Sequence, residues 1–113
     1  MSSLSNKSCV PCRGGIAPLT KNEYEPLLAE LGEEWEVIDT HHLEKTILLK
    51  NFAEALTFTN QVGSIAEKEG HHPDIELGWG RVKIIIWTHK IDGLSESDFI
   101  LAAKISAIGK TAA

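Results

Sequence analysis

The chain has 113 residues, of which 42% are hydrophobic and 24% charged, and this fits one compact domain with a real core. Sixteen acidic residues against eleven Lys and Arg give a formal net charge of −5, with no basic face for a phosphate backbone. We therefore expect no direct nucleic-acid binding. No apolar stretch approaches the roughly 20 residues of a membrane span, and no secretory signal is visible, so we expect a cytoplasmic protein that does not bind membranes.

The first part of the chain differs from the rest. We predict an irregular N-terminal arm over residues 1–18 and a folded domain over residues 19–113. The arm carries Cys9 and Cys12 among Pro and Gly residues. Two thiolates are fewer than the four ligands of most structural zinc sites, and a thioredoxin-like pair should instead open a helix. We interpret the arm as flexible and non-catalytic, with weak metal binding, an oxidisable pair or a partner-binding element as alternatives.

Seven elements are predicted after the arm. The helix starts carry capping signals, namely Thr20 with Glu23, Asn51 with Glu54, and Ser95 with Asp98. The elements are a helix from about 20 to 32, strands at 35–39 and 42–50, a helix to about 70, strands at 74–79 and 82–89, and a helix to about 108. Gly80-Arg81 suits the two-residue turn of a hairpin. The order α-β-β-α-β-β-α predicts an α+β two-layer sandwich, with a four-stranded antiparallel sheet and helices on one face.

The last helix is apolar on nearly every side between Phe99 and Ile108. A helix in a two-layer domain needs only one apolar stripe. We therefore interpret the excess as a subunit interface of a homo-oligomer. The alternative is that the helix lies in a groove between the other two helices.

Three histidines are the candidates for chemistry: His71, His72 and His89. Pro73 disfavours helical geometry at His72, so the two adjacent side chains point in different directions and one of them can enter a pocket. In an antiparallel sheet, the strand that ends at His89 finishes near the start of the preceding strand. Three imidazoles gathered there would suit general acid–base catalysis at neutral pH.

Ordinary structural explanations compete with this interpretation. A histidine on a strand is more often structural than catalytic, but three that converge independently favour a site. A zinc site of three histidines is a sharper alternative, yet an adjacent His-His pair is poor chelating geometry, so we predict no metal. The doublet His41-His42 lies at a strand entry without an evident partner, and we interpret it as exposed.

The remaining candidates have their own structural explanations. Asp98 is accounted for by its capping box, although a cap could also bond an imidazole. Glu67 is accounted for by a solvated helix face. The three tryptophans are candidates for the core or for a pocket wall that would suit a flat heterocycle, namely Trp35, Trp79 and Trp87.

The residues from Glu67 to Asp98 form a specific pattern. Its elements, at fixed spacings over 32 residues, are Glu67, His71-His72-Pro73, Trp79, His89 and Asp98. This pattern resembles that of the pterin-4a-carbinolamine dehydratases, and the predicted order of elements over about residues 20–110 is similar to that family as well. The resemblance implies a sheet that pairs with a dimer mate and a tetramer formed through helix packing.

The resemblance also implies a function. It implies dehydration of a 4a-hydroxytetrahydropterin to a quinonoid dihydropterin, in tetrahydrobiopterin recycling, without a metal or redox cofactor. The implied catalytic residues are His71, His72 and His89, and the implied substrate-binding residues are Pro73, Asp98, Glu67 and Trp35. Our hypothesis gives the proton transfers to His71 and His89 and substrate binding to His72. The alternative is a non-catalytic or bifunctional binding protein, since family members also serve as transcriptional coactivators or Rubisco assembly factors; the complete pattern favours an enzyme.

Overall fold

The structure is a computed structural model that describes residues 4–7, 16–32 and 34–111, so Cys9 and Cys12 lie outside the described residues. Its elements are a 3-10 helix Leu4–Asn6, α1 Lys21–Leu31, β1 Glu36–Ile38, β2 His42–Leu48, α2 Phe52–Glu69, β3 Asp74–Gly78, β4 Arg81–Ile86, a 3-10 helix His89–Ile91 and α3 Glu96–Thr111. The predicted order and the α+β class are confirmed. None of the helices within these ranges is long and apolar enough to cross a membrane.

The four strands form one antiparallel sheet in the order β1-β2-β4-β3. Alternation along β4 determines its faces, because Val82, Ile84 and Ile86 are fully buried while the residues between them are half-buried. The register places Leu43 of β2 opposite Ile86, and Leu43 is also fully buried. The helices therefore cover this face, as predicted, and the opposite face stays open.

The turn between β3 and β4 lies one residue earlier than predicted. Gly78 pairs with Arg81, so Trp79 and Gly80 form the turn. This register keeps the apolar side chains of β3 on the core face, and a slip of one residue would turn them outward. Gly80 has φ +66°, and an added Cβ would come within 3.0 Å of the Leu49 carbonyl oxygen, so glycine is required there.

The apolar excess of α3 is covered within the chain itself. The helix contacts α1, α2 and the N-terminal 3-10 helix, and its described apolar side chains from Phe99 to Ile105 are buried. The interpretation of this excess as a subunit interface is therefore wrong, and the alternative, a position between the other helices, is confirmed. The prediction failed because an N-terminal segment that covers one side of α3 has no helical periodicity in the sequence.

The described residues before α1, 4–7 and 16–20, include contacts with α3 and with the loop that precedes it. The Leu4 side chain is fully buried, and Lys7 donates a hydrogen bond of 2.8 Å from Nζ to Glu96. That hydrogen bond, with the charge of Glu96, raises the pKa of Lys7. Farther along, Pro18 lies so close to Gly93 that an added Cβ on the glycine would meet it at 2.6 Å. These contacts fix the start of α3, which carries Asp98.

Candidate active site

A cavity of about 390 Å³ lies between the end of α2 and the segment that follows β4. Its lining residues are Gly70, His71, His72, Trp87, Thr88, His89 and Lys90. The structure thus brings together all three histidines that were predicted to be catalytic. The volume lies within the range of about 300–1,000 Å³ that is typical of small-molecule pockets.

Local backbone geometry delivers the histidines to this cavity. The helix α2 ends at Gly70, which has the left-handed φ of 67° that glycine tolerates, and the amide of His71 donates to the Ala66 carbonyl. His71 and His72 therefore follow the helix end directly. Pro73 is half-buried, lies outside the set of lining residues and leads into β3.

His89 reaches the cavity from a 3-10 helix and not from a strand, which corrects the predicted strand end. The β4 ladder stops at Ile86. The amide of Thr88 then donates to the Gly93 carbonyl at 2.8 Å, which closes a loop that carries His89. Asp92 completes the loop with a left-handed φ of 50°.

His71 is held by a buried carboxylate. Its Nε2 lies 2.5 Å from Oδ1 of Asp98, and the side chains are 12% and 0% exposed, respectively. An ionised carboxylate only accepts hydrogen bonds, so Nε2 carries a proton in this contact. Nδ1 is therefore the ring nitrogen of His71 that is left to take up or release a proton.

Asp98 has two roles at once, and its hydrogen bonds account for both oxygens. Oδ2 accepts from the Ser95 amide at 2.7 Å and from the Thr88 hydroxyl at 2.9 Å, while Oδ1 accepts from His71. The first contact is the predicted helix cap, and the last is the contact with an imidazole that the sequence left open. A buried carboxylate with three donors is well satisfied and rigidly placed.

His72 is more exposed than its neighbour. Its Nε2 lies 2.5 Å from Oε2 of Glu67, and the side chains are 59% and 79% exposed, respectively. Glu67 lies on α2 one helical turn before His71 and does not line the cavity itself. It restrains the outer histidine, and this gives Glu67 a specific contact beyond that of a solvated charge.

Two of the tryptophans lie away from the cavity. Trp35 is 2% exposed, and its Nε1 donates to the Ser106 hydroxyl of α3 at 2.7 Å, so the structure places it in the core and not with the histidines. Trp79 is 74% exposed at the β3–β4 turn. Trp87 lines the cavity, as the third candidate for a pocket wall, with its ring centroid 4.2 Å from that of His89.

The doublet His41-His42 is half-buried and bonded, so its interpretation as exposed is wrong. The rings meet at their Nδ1 atoms at 3.0 Å, and His41 Nε2 contacts Asp92 at 2.8 Å. Both rings also approach Trp87. The prediction failed because these contacts depend on the β2–β4 pairing and on the fold of the 88–93 loop, which are not visible in the local sequence.

Thr88 and Lys90 line the cavity but were not predicted as site residues, although they flank His89 in the sequence. The signal that could have found them is this adjacency, since a loop that delivers one side chain to a pocket tends to line it with the neighbours. Among the residues that the structure describes, no three His, Cys, Asp or Glu side chains are grouped so that they could hold a metal ion.

Comparison with known proteins gives consistent results. The family model for pterin 4 alpha carbinolamine dehydratase matches residues 17–108. A protein of Alkaliphilus metalliredigens is 56% identical over 105 residues, which cover 93% of this chain and 95% of that protein. A protein of Rubrobacter xylanophilus is 54% identical over 108 residues, covering 96% and 100%, respectively. Both are provisionally named as pterin-4-alpha-carbinolamine dehydratases.

Solved structures share the fold. A transcriptional coactivator/pterin dehydratase from Brucella melitensis matches with a TM-score of 0.75 and 32% identity, covering 80% of this chain and 97% of that one. A pterin dehydratase-like RuBisCO assembly factor of the alpha-carboxysome matches with a TM-score of 0.58 at 21% identity, over 69% and 92% of the two chains, which is a likeness of fold alone. From the family match and the two close relatives, this chain belongs to the pterin-4-alpha-carbinolamine dehydratase family.

Proposed function

We propose that this protein dehydrates a 4a-hydroxytetrahydropterin to a quinonoid dihydropterin and water. The observation that carries the proposal is the arrangement of His71 on the buried Asp98 in a cavity that His72 and His89 also line. Membership of the dehydratase family supports the same reaction. The reaction would belong to tetrahydrobiopterin recycling, in the cytoplasm.

The chemistry needs two proton transfers. The C4a–O bond breaks as the departing hydroxyl takes a proton and leaves as water. The N5–H bond breaks as a base takes that proton, and its electron pair forms the C4a=N5 double bond. We assign these transfers to His71 and His89, with Nδ1 as the reacting atom of His71, because Asp98 engages Nε2. His72, more exposed and held by Glu67, contributes substrate binding.

The proposal is tested by following the decay of 4a-hydroxytetrahydropterin by ultraviolet absorbance with and without the purified protein. We expect clear acceleration by the wild type. His71→Ala and His89→Ala should each lower kcat/KM by about 10²–10⁴-fold, which is the usual contribution of a general acid or base. His72→Ala should act mainly through KM.

A matched control is Thr57→Ala, since Thr57 is exposed on α2 and does not line the cavity. Its rate should equal that of the wild type. A wild-type protein that leaves the spontaneous decay unchanged would contradict the proposal. Full activity in all three histidine variants would contradict the assignment of residues.

We also propose that the protein forms a homodimer or homotetramer. Four large apolar side chains near the β3–β4 turn and the start of α2 are 43–78% exposed: Leu48, Phe52, Leu56 and Trp79. The Leu49 amide donates to the Gly80 carbonyl and brings the end of β2 to this turn. Sedimentation equilibrium should give a molecular mass of more than one chain. The double variant Leu48→Ser/Leu56→Ser should shift that mass toward the value of the monomer. An unchanged mass would contradict this use of the surface.

A second candidate function is protein binding. It is favoured by the Brucella melitensis structure, which is described as both a transcriptional coactivator and a pterin dehydratase. The exposed apolar side chains near the β3–β4 turn would then serve a different protein. Absence of dehydration activity in a folded sample would favour this candidate, and the two functions are compatible in one chain.

A further inference from the structure

The three histidines of the cavity differ in what restrains their rings. Asp98 holds His71 and Glu67 holds His72, each through a ring nitrogen. The described contact that restrains His89 is instead the indole of Trp87. We infer that Trp87 is a positioning residue for the His89 imidazole, and that the pair His41-His42 holds Trp87 in place.

The geometry of the rings supports this inference. The centroids of Trp87 and His89 are 4.2 Å apart with an angle of 39° between the planes. Trp87 also contacts His41 and His42, and its ring centroid lies 5.4 Å and 6.1 Å, respectively, from theirs. The indole thus contacts three imidazoles; the separations to His41 and His42 lie within the range of about 4.5–7 Å that is typical of favourable aromatic pairs, and the separation to His89 is slightly shorter. An indole held in this way leaves His89 little freedom to turn away from the cavity.

The pair His41-His42 is itself anchored at both ends. Nε2 of His41 contacts Asp92 at 2.8 Å, and Nε2 of His42 contacts Glu44 at 2.9 Å. Asp92 ends the 3-10 helix that carries His89. One anchor therefore ties the pair to the loop of the site, and the other ties it to β2 of the sheet.

The hydrogen bonds of the pair involve all four of its ring nitrogens. Each Nε2 donates to a carboxylate, and one Nδ1 must donate to the other across the 3.0 Å contact. All three bonds form together only with three protons on the four ring nitrogens.

The positioning role can be measured without substrate. In the wild type, the three-bond couplings between Hα and Hβ of His89 should report one dominant χ1 rotamer in NMR spectra. Trp87→Leu should give couplings averaged over several rotamers, and Trp87→Phe should retain most of the wild-type pattern. Asp92→Asn should alter the couplings in part, whereas Asp39→Asn, at another exposed aspartate with positive φ, should not. Trp79→Leu controls for the loss of a tryptophan remote from the cavity.

The consequence for catalysis depends on the proposed dehydratase function. Trp87→Leu should lower kcat by about tenfold to a hundredfold with a smaller change in KM, as expected when a reacting group is misplaced by about 1 Å. Trp87→Phe should recover most of the rate. In a His89→Ala background, Trp87→Leu should have no further effect on kcat, because its action runs through His89.

The outcomes separate this inference from the function on which it rests. A His89 rotamer that depends on Trp87, in a protein without dehydration activity, would contradict the proposed function and support the restraint. His89 couplings that do not respond to Trp87→Leu would overturn the inference. An equal loss of kcat in the presence and absence of His89 would also overturn it, because Trp87 would then act directly.

Discussion

At the scale of single residues, Asp98 connects the fold of α3 with the chemistry of the cavity. Its carboxylate accepts from the Ser95 amide, the Thr88 hydroxyl and the His71 imidazole while fully buried. Asp98→Ala would leave three donors without their partner, and each unsatisfied buried group costs roughly 1–3 kcal/mol. We expect a lower free energy of unfolding in urea together with a strong loss of kcat.

The control for this prediction is Asp74→Ala, at an exposed position on β3. Its unfolding free energy should change by no more than about 0.5 kcal/mol. Asp98→Asn, which keeps the shape but offers a single acceptor oxygen, should fall between wild type and Asp98→Ala. Wild-type stability in Asp98→Ala would refute the linking role.

The sequence allowed much of the site to be predicted at this scale, and the limits are physical. The spacing from Glu67 to Asp98 identified the candidate histidines, and the placement of His71 and His72 depends on chain turns at Gly70 and Pro73 that local sequence encodes. The position of Trp35 in the core and the half-burial of His41 depend on long-range packing. Such contacts come from pairings between distant segments, which a single sequence does not display.

At the scale of secondary-structure elements, the open face of the sheet carries a cross-strand ion pair. Glu44 of β2 accepts from His42 and lies 3.4 Å from Lys83 of β4. Partial burial alone would raise the pKa of Glu44, but the hydrogen bonds from His42 and Lys83, with the charge of Lys83, outweigh it and hold the pKa below its ordinary value of 4.5.

The pH dependence of stability follows from that direction. A carboxyl group whose pKa is lower in the folded state stabilises the fold above its unfolded pKa, and this contribution is lost as pH falls through the folded pKa. Glu44→Gln should therefore lower the unfolding free energy at pH 7 by up to about 1 kcal/mol. The difference from wild type should vanish in acid. A difference that persists at low pH would show that burial, and not charge, is responsible.

The boundaries of the elements show what periodicity can predict. Alternation in residues 82–86 gave the strand and its core face, because burial on one side of a sheet imposes a period of two. The turn at Trp79 and Gly80 was misplaced by one residue, since register is decided by pairing with the neighbouring strand. The 3-10 helix at His89 was missed because a backbone contact between Thr88 and Gly93 creates it.

At the scale of the whole molecule, the N-terminal segment completes the core. Leu4 is fully buried and belongs to the same apolar cluster as Tyr24 and Phe99. Leu4→Ala should reduce the free energy of unfolding by about 2–5 kcal/mol, as usual for a buried leucine. Ile16→Ala, at a half-exposed position in the same segment, should change it by less than about 0.5 kcal/mol.

Urea denaturation of both variants measures this difference. An equally small effect of the two substitutions would mean that Leu4 is dispensable for the core. The sequence could not predict this contact, because a short segment rich in Ser, Gly and Pro lacks the periodicity of a packed element. The same lack of periodicity explains why the apolar surface of α3 was interpreted as an interface with another subunit.

The three tryptophans lie at three different depths in the protein, so its intrinsic fluorescence can report on three different regions. Trp35 is in the core, Trp87 forms the cavity wall, and Trp79 is 74% exposed. Acrylamide should quench the red-shifted emission of Trp79 first. Unfolding should expose Trp35 and shift its emission from the blue to the red. A flat ligand in the cavity should chiefly quench Trp87, so single-tryptophan variants would report occupancy and unfolding separately and without a label.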